Sequence, residues 1–275
     1  MKSKKSIILY STILLLAIVA MITLCESIGD NTRDYKEIHA EGILRIVTEY
    51  NQSGYFASGD TIQGFQYELS RAISDISGLE IQIFPEMSLS ESFNELNNRK
   101  YDIIARNIPV TSEIKENYLF SDPVVLSKQV LVQRTAKAND SIPPIRNQLD
   151  LAKKTLYIPE NSPALLRIRN LQHEMGDTIY VAEESNYSSE QLIIMVARKD
   201  IDYAVCDQQI ANIAKKQFPE IDIETDISFT QLQAWAVRTE SVVLLDSLNN
   251  WFRTIRDSGI YDEIYTRYYK NKTGR

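Results

Sequence analysis

From Lys100 to Arg134 the chain runs KYDIIARNIPVTSEIKENYLFSDPVVLSKQVLVQR, two apolar segments on either side of a short charged one. Tyr101 to Ala105 has the length and apolarity of a buried strand, and Arg106 to Pro109 reads as a turn leaving it. Thr111 follows, where its hydroxyl can accept an orphan amide and start a short helix through Asn117. Phe120-Ser121-Asp122-Pro123 closes the unit before a second apolar run, Val124 to Val132. In an open α/β sheet, ligands sit just beyond the carboxyl ends of the strands. Arg106, Asn107 and Ser121 are therefore expected at the mouth of a cleft, with the remaining chain as its walls and hinges.

Upstream of this stretch, Ile43 to Thr48 reads as the first strand. A polar, Gly-bearing loop follows from Glu49 to Gly64 and carries Tyr50, Tyr55 and Phe56. Phe65, Leu69, Ala72, Ile73 and Ile76 share one face of a helix. Leu79 to Phe84 alternates like a strand, and Ser88 with Glu91 opens a helix that buries Phe93 and Leu96. Strand-helix-strand-helix-strand predicts a largely parallel sheet with right-handed crossovers.

Downstream, Thr135 to Asn147 is a Pro-, Ser- and Asn-rich connector. It leads into strands Thr155 to Ile158, Thr178 to Glu183, Tyr203 to Cys206 and Ile221 to Thr225. Helices Ala164 to Met175, Ser189 to Arg198 and Gln209 to Phe218 lie between them. The chain is then expected to return to the first lobe through strand Gln233 to Val237 and a helix with Leu244, Leu248, Trp251 and Ile255 on one face. Gly259 suits a left-handed cap before a last helix, Tyr261 to Tyr269.

The order Asp-apolar-apolar, turn, Thr, charged helix, Phe-Ser-Asp-Pro resembles the signature of family 3 extracellular solute-binding proteins. That resemblance covers about Ile43 to Tyr269, including the Asp257-x-Gly259 break and the closing tyrosine helix. Within it, Gly64 to Leu69 and Asp202 to Asp207 are similar to the non-catalytic N-terminal half of F-type membrane-bound lytic murein transglycosylases. It implies an α/β fold of the type II periplasmic binding protein kind, with two lobes, each a mostly parallel sheet flanked by helices. Residues 42–134 and 228–275 would form lobe one and residues 135–227 lobe two. The hinge is expected at Gln133 to Lys137 and Ser228 to Leu232. The F-type enzymes would continue into a lysozyme-like domain, which has no counterpart in this sequence.

With 44% apolar and 24% charged residues, the composition is that of ordinary globular material, enough for two lobes. The formal net charge of −7 argues against nucleic acid as a partner. Met1 to Leu24 has three lysines and then an unbroken apolar or small run, long for a signal sequence and just enough to span a bilayer. Ile22-Thr23-Leu24-Cys25 resembles a lipobox that would lipidate Cys25, though Leu24 stands where a small residue is usual. Lipid anchor, uncleaved helix and plain secretion stay open, and each puts the folded part outside the cytoplasm. Residues 26–41 read as a tether. Cys25 and Cys206, the only cysteines, make no disulfide framework.

Catalytic chemistry finds little support. His39 and His173 sit in polar segments without a carboxylate or cysteine cluster at metal spacing, so no metal is expected. Neither a phosphate loop nor a dinucleotide fingerprint occurs, so no cofactor is expected. Ligand chemistry is better supplied. In relatives an arginine in the short helix after the Thr grips a ligand carboxylate; Ile114 stands there, and Arg106 is the substitute. The alternative for Arg106 is an ion pair with Asp122 or Glu113. Asp207 matches the acid that accepts a ligand ammonium, or it caps the helix after it. Asn161-Ser162 stands at the position of the relatives' Gly-Ser/Thr anion turn at a helix start, or is a plain helix cap. Tyr50 and Phe56 could pack on a ligand ring, and Asn186 and Tyr187 are weaker candidates.

Two functions compete. One is a monomeric receptor that closes on a small polar ligand, amino-acid-like or cell-wall-derived, for import with a membrane permease or for sensing. The other is a regulatory or muropeptide-binding partner of a cell-wall hydrolase. An amino-acid dehydratase-like enzyme would need an acid–base pair that the sequence does not reveal.

Overall fold

The computed structural model describes residues 33–270. In chain order it begins with α1 (Tyr35–Glu41), β1 (Ile43–Thr48), β2 (Phe56–Ser58), β3 (Thr61–Gln63), α2 (Phe65–Ser77), β4 (Glu80–Pro85) and α3 (Leu89–Asn97). β5 (Ile103–Pro109), α4 (Ser112–Lys115), β6 (Tyr118–Phe120), β7 (Val125–Ser127) and β8 (Gln129–Arg134) follow. Next come β9 (Thr155–Pro159), α5 (Ala164–Met175), β10 (Tyr180–Glu184), α6 (Ser189–Arg198), β11 (Ala204–Asp207) and α7 (Gln208–Gln217). The chain ends with β12 (Ile221–Asp226), β13 (Gln231–Arg238), α8 (Val242–Asp257) and α9 (Ile260–Tyr268).

These elements build a two-lobed α/β molecule around two mixed sheets. The first has the order β4-β1-β5-β13-β6, with β7 also paired to β13; the second has the order β10-β9-β11-β8-β12. The expected parallel pairing holds where strands alternate with helices, β4-β1-β5 and β10-β9-β11. The strands that carry the chain between lobes, β8 and β13, run antiparallel to their neighbours. A crossover helix forces parallel pairing, whereas a strand returning from the other lobe enters from the opposite end.

That return also corrects the central stretch. Arg106 to Pro109 is no turn: β5 continues to Pro109 because β13 pairs with it, Ala234 opposite Ile108 and Gln233 opposite Pro109. The run Val124 to Val132 is two strands broken at Lys128, β7 in the first sheet and β8 in the second. The first crossing therefore falls at Lys128 rather than Gln133 to Lys137, and residues 129–134 belong to the second lobe. The second crossing lies between Asp226 and Gln231, within reach of the expected hinge. The two crossings hold each other: the Gln129 amide donates to Ser228 Oγ at 2.9 Å, and the Ile227 amide donates to the Gln129 carbonyl at 2.8 Å.

The stretch expected as a tether is a helix where it is described. Asp34 caps α1 in a reciprocal capping box with Glu37, and Ile38 is fully buried. The same carboxylate accepts from the amides of Val243 and Leu244 at 3.1 and 2.7 Å, so one acid caps two helix starts. Cys25 and residues 1–32 lie outside the described residues, and no helix among the described residues is long and apolar enough to cross a membrane.

Lobe one is closed by its C-terminal helices. Phe65, fully buried on α2, meets the rings of Tyr261, Tyr265 and Tyr269 at centroid distances of 6.2, 6.3 and 4.6 Å. Trp235 packs edge-on against Phe252 at 5.0 Å. Each such ring removes enough apolar surface to contribute about 1.5–3 kcal/mol. Below them Asp102 and Arg238, both almost wholly buried, stand 3.7 Å apart. Arg238 donates to the Leu96 carbonyl, and Asp102 accepts from the Arg45 amide.

Candidate functional site

A cleft of about 490 Å3 opens where the carboxyl ends of β1, β5, β9, β10 and β11 converge. Arg106, Asn107, Asn161, Ser162 and Asp207 line it, as do Asn186 and Tyr187. Three candidates do not. Ser121 is buried, accepts from the Trp235 amide at 3.1 Å and donates to the Asp122 carbonyl, so it fastens β6 to β13. Tyr50 points largely to solvent beside Tyr55. Phe56 begins the β2–β3 hairpin, which is outside the lining. These three were nominated by nearness in sequence or by ring character, and the pleat and the hairpin turn them elsewhere.

On the lobe-one wall the polar groups are already spoken for. Arg106 pairs with Glu49 at 2.9 Å rather than with Asp122 or Glu113, and donates to the Met87 carbonyl at 3.3 Å. Ile114, partly buried, packs against the apolar cluster that holds Val47, Leu96 and Ile104, and it is not in the cleft lining. Gln66 accepts from the Trp235 indole at 2.7 Å and donates to Asn107 Oδ1 at 2.6 Å. Asn107 in turn donates to the Tyr269 hydroxyl, which is hydrogen-bonded to Ser53 Oγ at 2.6 Å. Burial pushes that phenol well above its ordinary range. The loop beneath is drawn tight by glycine: a Cβ on Gly54 would meet the Glu49 carbonyl oxygen at 2.1 Å, and Gly64 has φ +138°.

Asp207 sits where the lobes join. It ends β11, caps α7 by accepting from the Gln209 amide at 2.8 Å, and receives Ser127 Oγ at 2.9 Å and Gln233 Nε2 at 2.6 Å from the first sheet. Burial raises its carboxyl above the ordinary aspartate value despite those donors. Both roles expected for it are thus compatible, since capping is observed and the residue lines the cleft. Asn161 adopts the left-handed conformation, φ +58°, and Ser162 Oγ accepts from the Ala164 amide at 3.3 Å as α5 begins. A second link between lobes runs from the Gln52 amide to Glu190 at 3.1 Å. Burial, with Glu49 adding repulsion, raises the Glu190 carboxyl.

Sequence reasoning missed Glu49, Glu86, Glu160, Glu184 and Gln66 in the lining. The rule that nominated Arg106 finds four of them, because Glu49, Glu86, Glu160 and Glu184 each end or directly follow a strand. Gln66 carries no such signal. Among the described residues no group of three His, Cys, Asp or Glu could hold a metal, and Cys206 is a buried free thiol.

Residues 44–271 match the bacterial extracellular solute-binding proteins, family 3. The chain belongs to that family. Membrane-bound lytic murein transglycosylase F of Desulfosudis oleivorans is 29% identical over 233 residues, 85% of this chain and 50% of that protein. The family 3 chain thus spans about half the length of this curated relative. Among solved structures, an ancestral arginine-binding protein bound to arginine superposes with a TM-score of 0.72 at 23% identity, covering 83% of this chain and 98% of the other. The ancestral arginine-binding protein bound to glutamine gives 0.72 at 22%, covering 84% and 99%. At these identities the likeness establishes the shared fold. Family and fold are those of extracellular substrate-binding proteins.

Proposed function

We propose that the family 3 chain is an extracytoplasmic receptor whose lobes close on one small polar solute, amino-acid-like or cell-wall-derived, for transport or sensing. The observation that carries the reading is the cleft itself, which both lobes line from strand carboxyl ends and which has the volume of a small-molecule site. Asp207, Asn161, Ser162 and Asn107 would contact the solute, and Arg106 would reach an anionic group only by sharing its guanidinium with Glu49. The chain would bind its ligand without transforming it, with Asp207 meeting the solute from a position fixed by Ser127 and Gln233 of the first sheet and by the Gln209 amide of α7. It would act as a monomer, held at the membrane by its N-terminal segment or by a lipid on Cys25, and hand its solute to a permease complex.

A second reading is a non-catalytic, muropeptide-binding partner of a cell-wall hydrolase. Its support is the likeness to half of a lytic murein transglycosylase. A thermal-shift screen of the full chain against amino acids, short peptides and muropeptides tests both. A solute present at 100 times its dissociation constant should add about 2.7 kcal/mol. Stabilisation by muropeptides alone would favour the second reading, and no stabilisation by any of the three classes would sink both.

A further inference from the structure

The charge balance of the cleft is uneven. Glu49, Glu86, Glu160, Glu184 and Asp207 line it against Arg106 as the single basic residue. Arg106 is already neutralised by Glu49 at 2.9 Å, so it offers little surplus positive charge to a ligand. Glu160 and Glu184 form no ion pair among the described residues. They stand side by side because β9 and β10 run parallel and end together: Glu184 is in register with Pro159, and the Glu160 amide donates to the Glu184 carbonyl at 2.9 Å. The buried Oε1 of Gln233, whose nitrogen is on Asp207, has no donor among the described residues. Negative charge thus exceeds positive charge around the cleft, and clefts lined by one sign of charge concentrate ligands of the opposite sign.

We infer that the cleft selects a solute of net positive charge, one bearing an ammonium or guanidinium group in addition to any α-amino group, with Glu160 and Glu184 as its specificity-determining acids. The inference rests on the solute-binding reading above. A ligand carboxylate is not required, because the one guanidinium present is occupied; extra positive charge is what the lining leaves unmatched. A free basic amino acid and a short peptide with a basic side chain share this chemistry.

Calorimetry on the full chain with L-arginine, L-lysine, the dipeptide lysyl-alanine, L-glutamine and L-glutamate tests it. At least one of the three cationic probes should bind about tenfold or more tighter than glutamine, and glutamate should bind most weakly. Lysine against lysyl-alanine tells a free amino acid from a peptide source. Replacing both lip acids, Glu160→Gln with Glu184→Gln, should weaken the best cationic probe about tenfold while the melting temperature stays within about 2 °C. Glutamine or glutamate binding as tightly as every cationic probe would overturn the charge inference and leave solute binding standing. Unchanged affinity in the double variant would overturn the role of the lip acids. If none of the five probes binds, the charge inference fails, while the solute-binding reading stands or falls separately on the muropeptide arm of the thermal-shift screen.

Discussion

The two walls of the cleft are built from the same grammar, strand ends and helix starts, yet they are in different chemical states. On the lobe-one wall, Arg106 is taken by Glu49, Gln66 bridges Trp235 and Asn107, and Asn107 leans on Tyr269 and Ser53. On the lobe-two wall, Asn161 and Glu160 stand exposed, and Glu184 is without an ion pair among the described residues. Buried polar groups must find partners within the protein because desolvation is costly otherwise. Lobe one commits its cleft groups to one another, whereas on the lobe-two wall Glu160 and Glu184 have no ion pair among the described residues.

The contrast can be broken most forcefully at Glu49. Glu49→Ala leaves Arg106, 9% exposed, without its carboxylate, and loss of one partner of a buried pair costs about 3–5 kcal/mol. Glu49 retains 21% exposure, so about 2–3 kcal/mol is expected, read as a lower urea midpoint at unchanged slope. A loss below about 0.5 kcal/mol would mean that the lobe-one wall is no better paired than a surface. Next in size is Gln66→Leu, which strands the buried Trp235 indole and frees Asn107. A cost of about 1–3 kcal/mol is expected from the unsatisfied donor, with a change in tryptophan emission.

The smallest effect concerns the lobe junction and sharpens the comparison through pH. The Glu190 carboxyl is raised by burial and by Glu49, against the Gln52 amide that donates to it. A raised acid binds its proton more readily folded than unfolded. Its contribution to stability is therefore full at low pH and falls as pH rises from the ordinary glutamate range through the raised value. Glu190→Gln should melt higher than the parent at pH 7, and the gap should close as pH drops toward the ordinary glutamate range. A gap that does not change with pH would show that Glu190 is not held in a desolvated junction.

Much of the architecture is legible along the chain because it depends on local periodicity. The helices at Ala164–Met175 and Ser189–Arg198 have the bounds that their apolar spacing and caps indicate, with Ser188 and Gln191 completing a capping box at 2.8 and 3.3 Å. Gly259 takes φ +79° before the last helix, as its place between two helices demands. Asp207 and Arg106 are legible for a similar reason, since a charged residue at the end of an apolar strand is conspicuous in sequence.

What the chain alone could not decide depends on pairing between distant residues. Whether Arg106 sits in a turn or a strand is settled by β13, more than a hundred residues later, because a ladder extends as far as its partner does. Whether Val124 to Val132 is one strand or two depends on which sheet claims each half, and the polar interruption Ser127-Lys128-Gln129 marks the place of the break without saying that the halves join different sheets. Whether Arg106 is free for a ligand turns on Glu49, which the parallel pairing of β1 with β5 sets beside it at the two strand ends. By itself the sequence determined the family, the lobes' helices and the acids and bases at strand ends; tertiary structure decided which of those charges are already neutralised, because Coulomb and hydrogen-bond energies fall off within a few ångströms and that proximity is not written in sequence order.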